Sequence, residues 1–296
     1  MTASLLHAAS LACAAALART PALARAAALA RTPAPACAAI LTLAAGLALV
    51  PCQARAADPG GELSVGRAMS FLSSLLDPEL GLVKQNPDSK DYWLCPDNML
   101  AQRALKATEA GRIIGTALAR RAGVKAAGKF TPLLETGGAG AFLGPGSKAA
   151  FFETDLVTVS RTGTKRERTE VRTSRKVERW NEQADHLFIA AAAEKDRGMG
   201  RAHFYRALRM WDGVGFLDKS VFHRQSYSAE TLGLALLAAG KVSVDLPIRP
   251  RILAQLALQQ DASGGFAPDF DKDGKAAGLP SAKTTSVILL GLAAGP

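Results

Sequence analysis

Two stretches of this chain leave a helix without a polar face. Leu232, Leu234, Ala235, Leu236, Leu237 and Ala238 crowd the segment after Tyr227, and Val287 to Leu292 is apolar in the same way. A helix that is apolar all round must be buried on every side. Any fold of this chain therefore has to surround both segments with other elements. Each segment begins on polar residues, Ser228, Glu230 and Thr231 in the first and Thr284, Thr285 and Ser286 in the second. The opening turns of such helices carry unpaired N–H groups and the positive end of the helix dipole, which favour anions and polar ligands.

The remaining pattern is mostly helical and more amphipathic. Ser64 can cap a helix whose Val65, Ala68, Met69, Leu72, Leu75 and Leu76 follow the helical period, and Asp77-Pro78 stops it. Asp97 or Asn98 can cap a second helix, interrupted near Gly111. Beyond Trp180 the helices come in pairs: Trp180 to Arg197 then Gly200 to Asp212, Tyr227 to Gly240 then Pro247 to Gln260, and last Ser281 to Ala293. Pro247 suits a first helical turn, with Asp245 as a possible cap. About eight helices, mostly as hairpins, are expected.

One segment breaks this pattern. Phe151 to Ser160 is rich in β-branched and aromatic residues, Glu167 to Thr173 alternates, and Arg161-Thr162-Gly163-Thr164 lies between them. A β-hairpin inserted at about 150–175 follows. Eight basic residues lie between Arg161 and Arg179 against three acids, which reads as a solvated face or as an anion-binding strip. Between Gly123 and Ser147 the pattern dissolves. The glycines from Gly137 to Lys148 do not make a phosphate loop, because no Gly-Lys-Ser/Thr follows at the required offset.

The first residues are of another kind. Met1 to Ala57 is almost wholly Ala, Leu, Pro and Arg, with no acid before Asp58. Ala38 to Val50 has the length of a signal-peptide core and Ala54-Arg55-Ala56 supplies a small-x-small cleavage site. Residues 1–56 are thus expected to be a cleaved leader and 58–296 a single domain, periplasmic or secreted. The apolar run is too short to span a bilayer. Cys52 offers lipidation as an alternative, although Leu49-Val50-Pro51 lacks the small residue expected before it. Loss of Arg19, Arg25, Arg31 and Arg55 takes the formal charge from +10 to +6, weak grounds for an anionic partner. Cys13, Cys37 and Cys52 leave as well, so Cys95 remains alone and no internal disulfide can form.

A turn device recurs through the mature chain. Trp211-Asp212-Gly213-Val214-Gly215-Phe216 precedes Tyr227-Ser228-Ala229-Glu230-Thr231, and Gln259 with Gly264-Gly265-Phe266 precedes Thr284-Thr285-Ser286. A related run, Leu76-Asp77-Pro78-Glu79-Leu80-Gly81-Leu82, precedes Tyr92-Trp93-Leu94-Cys95-Pro96-Asp97-Asn98. Over 64–120 and 180–293 these turns resemble those of the α/α-toroid superfamily, which includes six-hairpin glycosidases, toroidal polysaccharide lyases and terpene-cyclase and prenyltransferase barrels. The likeness is nearest in style to uncharacterised six-hairpin-like members. It implies a mainly α fold, an α/α toroid or incomplete toroid of helical hairpins, with helix N-termini at one funnel.

In such a toroid Asp97, Asp218 and Glu230 would be the catalytic carboxylates of a glycoside hydrolase, which needs one group to protonate the leaving oxygen and another to activate water or attack. Tyr92, Trp93, Asn98, Trp211, Tyr227, Asp269 and Thr285 would line the substrate site, the aromatics stacking on sugar faces. Against this, Asp97 serves equally as a helix cap, Asp212 and Asp218 as turn residues, and Glu230 as one half of a buried ion pair with Arg224 or Lys283. Asp269, Asp271 and Asp273, with Gly274, copy the start of a calcium loop, but Pro280 stands where its closing Glu belongs. An acidic turn is the plainer reading, and no other cofactor is indicated. A lone Cys95 far in sequence from any His is no zinc set, and no nucleic-acid motif occurs.

The leading expectation is an exported, carbohydrate-active protein with glycosidase-like acid/base chemistry. A non-catalytic module that binds a glycan or a protein is the first alternative. A polysaccharide lyase using His223, Tyr227, Arg224 and Asn98 on an acidic polymer is the second.

Overall fold

The computed structural model describes residues 62–121, 129–134, 151–218, 221 and 226–295, all within the compact unit Ala57–Pro296. The leader, Cys52, the glycine-rich 137–148 run, His223 and Arg224 lie outside the described residues. About 48% of the structure is helical and 20% strand, a mixed α/β fold.

The order is α1 (Val65–Ser74), β1 (Leu76–Asp77), β2 (Leu82–Val83), β3 (Tyr92–Leu94), α2 (Cys95–Ala104), α3 (Glu109–Ala119), α4 (Thr131–Leu134), β4 (Phe152–Thr162), β5 (Lys165–Lys176), α5 (Ala184–Ala193), α6 (Arg197–Leu208), β6 (Tyr227–Ser228), α7 (Ala229–Val242), α8 (Arg249–Gln259), β7 (Asp269–Phe270), β8 (Ala276–Ala277) and α9 (Ala282–Ala293). A single 3₁₀ turn, Trp180–Glu182, precedes α5.

The two all-apolar helices lie side by side at the centre. α7 packs against α9 on one flank and α5 on the other, α5 continues to α6, and α9 continues through α2 to α3. Residues from Leu232 to Ala239 on α7, Gly233 among them, are buried, as are Val287, Ile288 and Leu289 on α9. Two glycines set the spacing of this pair. A Cβ on Gly291 would stand 2.3 Å from the Gly233 carbonyl oxygen, and one on Gly233 would stand 2.9 Å from the Ile288 Cα. The backbones can approach this closely only without side chains.

The expected toroid is not formed. The structure is mixed α/β instead, and among the described residues the main helix contacts run from α6 through α5, α7, α9 and α2 to α3, with α1 against α9 and α8 against α7. Three small sheets occupy the rest: β1-β2, β3-β5-β4 and β6-β7-β8. The sequence pattern showed the β4–β5 hairpin but not the other strands. With two or three residues each, they are too short to display the alternation by which a strand is recognised. β3 pairs in parallel with β5, Tyr92 opposite Arg166 and Leu94 opposite Arg168. The inserted hairpin is therefore built into a sheet whose third strand leads directly into α2.

Several local expectations need correction. α2 starts at Cys95, with Leu94 at its cap and Pro96 in the first turn, so neither Asp97 nor Asn98 caps it. The break before α3 falls at Leu105–Thr108, where Thr108 accepts from the Gly111 N–H. Gly111 sits inside α3, where a Cβ would lie 2.1 Å from the Leu105 carbonyl oxygen. Asp196 caps α6 and so divides the α5–α6 pair before Gly198, while Ile248, not Asp245, precedes α8. Ser64 does cap α1, as expected, and Ser281 is found capping α9.

Candidate functional site

The N-termini of α5, α7 and α9 open on one cleft of about 640 Å³. Its lining includes Gln183, Asp185 and His186 from α5 and the residue before it, Ser228, Glu230 and Thr231 from β6–α7, and Ser281, Lys283 and Thr284 from the start of α9. Asp218, Asp269 and Lys129 complete its charged groups.

A chain of ion pairs crosses this cleft. Asp185, Glu230 and Lys283 are each the second residue of their helix. Lys129 Nζ lies 2.8 Å from both Asp185 Oδ2 and Glu230 Oε1, and Lys283 Nζ lies 2.9 Å from Glu230 Oε2. At the far end His186 Nδ1 stands 2.8 Å from Asp185 Oδ1. Burial works against ionisation of Glu230 and Asp185, but Lys129 and Lys283 at Glu230, and Lys129 with His186 at Asp185, outweigh it and hold both carboxyls below their ordinary range. Burial likewise opposes the Lys129 charge, and its two carboxylates overcome that and hold it protonated. The first-turn positions add the helix dipoles, which favour the two acids.

Behind the network lies Asp97, in the first turn of α2 and only 5% exposed. Burial pushes its carboxyl up to about 7, with Lys283 opposing and Glu230 and Glu170 adding to the shift. Among the described residues its Oδ2 has no hydrogen-bond partner. Glu170 on β5 is also raised, chiefly by burial.

The other expected site residues divide between this cleft and the framework. Asp218 and Asp269 line the cleft, but Asp218 accepts from the backbone N–H groups of Ala184 and Val221 at 3.0 and 3.1 Å. It thereby ties the start of α5 to the segment before β6. Asn98 is fully buried and clamps Val83, accepting from its N–H at 2.7 Å and donating to its carbonyl at 3.0 Å. Thr285 is buried too and accepts from the Phe266 N–H.

None of the four aromatics lines the cleft. Trp93 is 1% exposed, packed with Leu80, Leu82 and Ala117. Trp211 stands edge-on to Phe216 with its indole nitrogen buried. Tyr227 stacks on Phe270 and donates to Asp212. Burial and that bond raise the Tyr227 phenol to about 12. Tyr92 lines a different concavity.

Asp271 accepts from the N–H groups of Asp273 and Lys275, the geometry of a turn. Among the described residues no group of three His, Cys, Asp or Glu side chains is placed to hold a metal ion.

No family model, curated protein or solved structure matches this chain. The toroid resemblance rests on short turn motifs alone, and the mixed α/β make-up with three small sheets overturns the mainly α fold that it implied.

Sequence reading missed Lys129, Asp185 and His186. Lys129 stands alone in a stretch without periodicity. The one available signal for Asp185 was positional, an acid at the second residue of an otherwise apolar helix, as with Glu230. Among the described residues no helix is long and apolar enough to cross a membrane.

Proposed function

We propose that the cleft binds an uncharged, polyhydroxylated ligand, such as the end of a neutral glycan, without transforming it, and that the chain works as an exported binding protein. The observation that carries this reading is that three of the cleft's four carboxylates are already held by identified partners. Glu230 is held by two lysines, Asp185 by Lys129 and His186, and Asp218 by two backbone N–H groups. A carboxylate fixed this way is a weak base and a poor proton donor. The same wall alternates acceptors with ammonium donors, which suits hydroxyls because each can both donate and accept. Four carboxylates against two lysines line the cleft, and this surplus disfavours the acidic polymers a lyase would need.

The test is calorimetric titration of the full chain with a panel of neutral oligosaccharides, followed by chromatography of the mixtures. Saturable binding with the ligand recovered intact is expected, weakened at least tenfold in Lys283→Met. Absence of binding across the panel, or Glu230-dependent product, overturns the proposal.

A second reading is favoured by Asp97 alone. Asp97, pushed up to about 7 chiefly by burial and further by the charge of Glu230, would be the protonated partner and Glu230 the charged one in glycoside hydrolysis. On that reading sugar release at pH 5 to 7 disappears in both Asp97→Asn and Glu230→Gln.

A further inference from the structure

Beside the β4–β5 turn lies a second concavity of about 580 Å³, lined by a different set of residues from the ion-paired cleft. Arg161, Arg166 and Arg168 line it with Tyr92 and Thr158, and Asp91 is the one acid among its lining residues. We propose that it is a binding site for a phosphate group, carried by a soluble phosphate ester or by a lipid headgroup.

Register brings the arginines together. Arg161 stands directly opposite Arg166, Thr158 opposite Arg168, and Tyr92 flanks Arg166 from the parallel side. Arg166 and Arg168 are two apart on β5, so both project from the same face. Like charges directly opposite across a sheet repel, and among the described residues no salt bridge relieves any of the three. The neighbouring Glu167 belongs to the other face, where Arg121 Nη2 donates to it at 2.7 Å. Glu170 lies beyond Arg168, toward Asp97 and the lysines.

The second observation is at Arg168. Among the described residues its Nε is buried with no hydrogen-bond partner, while Nη2 donates to the Leu156 carbonyl over a long 3.4 Å. A guanidinium is a planar fork of five donors that pairs with oxyanions two bonds at a time. Three such forks around a hollow exceed the two oxygens of a carboxylate and match the three outer oxygens of a phosphate monoester. The Tyr92 hydroxyl donates to Gln85, leaving its ring as a wall.

Titration of the full chain with pyrophosphate and with inorganic phosphate tests the site, at constant ionic strength set with sodium chloride. Saturable binding is expected, with acetate failing to compete at equal concentration. Affinity should fall at least tenfold in Arg166→Gln/Arg168→Gln and by less than twofold in the control Arg175→Gln/Arg179→Gln, which alters basic residues outside the hollow. Sedimentation with phosphatidylglycerol and phosphatidylcholine vesicles separates the sources. Capture that depends on Arg166 and Arg168 without affinity for free phosphate assigns a headgroup, and the reverse assigns a soluble ester. Binding to neither, equal loss in both double variants, or competition by acetate as strong as by phosphate overturns the proposal. Circular dichroism of each variant guards against misfolding, since hairpin surface changes leave the helical row intact.

Discussion

The second residue of α7 and the second residue of α9 touch: Glu230 Oε2 lies 2.9 Å from Lys283 Nζ. Lys129 reaches the other oxygen of the same carboxylate at 2.8 Å. The two central helices are therefore joined at their N-termini by charge as well as along their length by packing.

Glu230→Gln removes the carboxylate that both lysines share. Breaking a partly buried pair strands the partner charges, which costs roughly 2 to 4 kcal/mol. Urea denaturation should show a lower midpoint with an unchanged slope. The pH dependence should change too. With its pKa held low in the folded state, Glu230 contributes stability above the ordinary carboxyl range that is lost as pH falls through the folded value. The variant should lose part of the wild type's stability decline on the acid side.

Asp97 works in the opposite direction. Its folded pKa of about 7 lies above the ordinary 3.8, so the folded state binds a proton that the unfolded chain releases. Stability from this group falls as pH rises from about 4 to about 7 and stays low above that. Asp97→Asn keeps the shape without the charge. It should be close to neutral at pH 4 and stabilising by roughly 2 to 4 kcal/mol at pH 8, measured as unfolding free energy at the two pH values.

Gly291→Ala tests the helix contact. Its added methyl meets the Gly233 carbonyl oxygen at 2.3 Å, and neither backbone can yield without disturbing a buried row. A loss of about 2 to 3 kcal/mol is expected. Gly66→Ala, where nothing lies within 4 Å of the added carbon, should instead leave thermal stability the same or slightly higher.

Much of the local structure was legible because local rules govern it. The expected serine cap at Ser64 lies next to the helix it starts. The hairpin announced itself through a run rich in β-branched and aromatic residues before Gly163 and a short alternating run after it, and its strands fall at Phe152–Thr162 and Lys165–Lys176. Lys283 was foreseen as one possible partner of Glu230, since an acid at the mouth of an apolar helix requires one. The framework roles of Asn98, Trp93 and Tyr227 were not, because a polar or aromatic residue after a turn looks the same whether it clamps a neighbour or faces a ligand.

The sequence by itself determined that α7 and α9 must be buried, roughly where most helices lie, and that one long hairpin interrupts them. Only the tertiary structure decided that three small sheets share the fold with the helices, that β3 pairs with β5, and that Lys129 joins Asp185 to Glu230. Hydrophobic periodicity tells which face of an element leaves water but not what covers it. An ion pair between residues 101 positions apart, as Lys129 and Glu230 are, leaves no periodic trace at all.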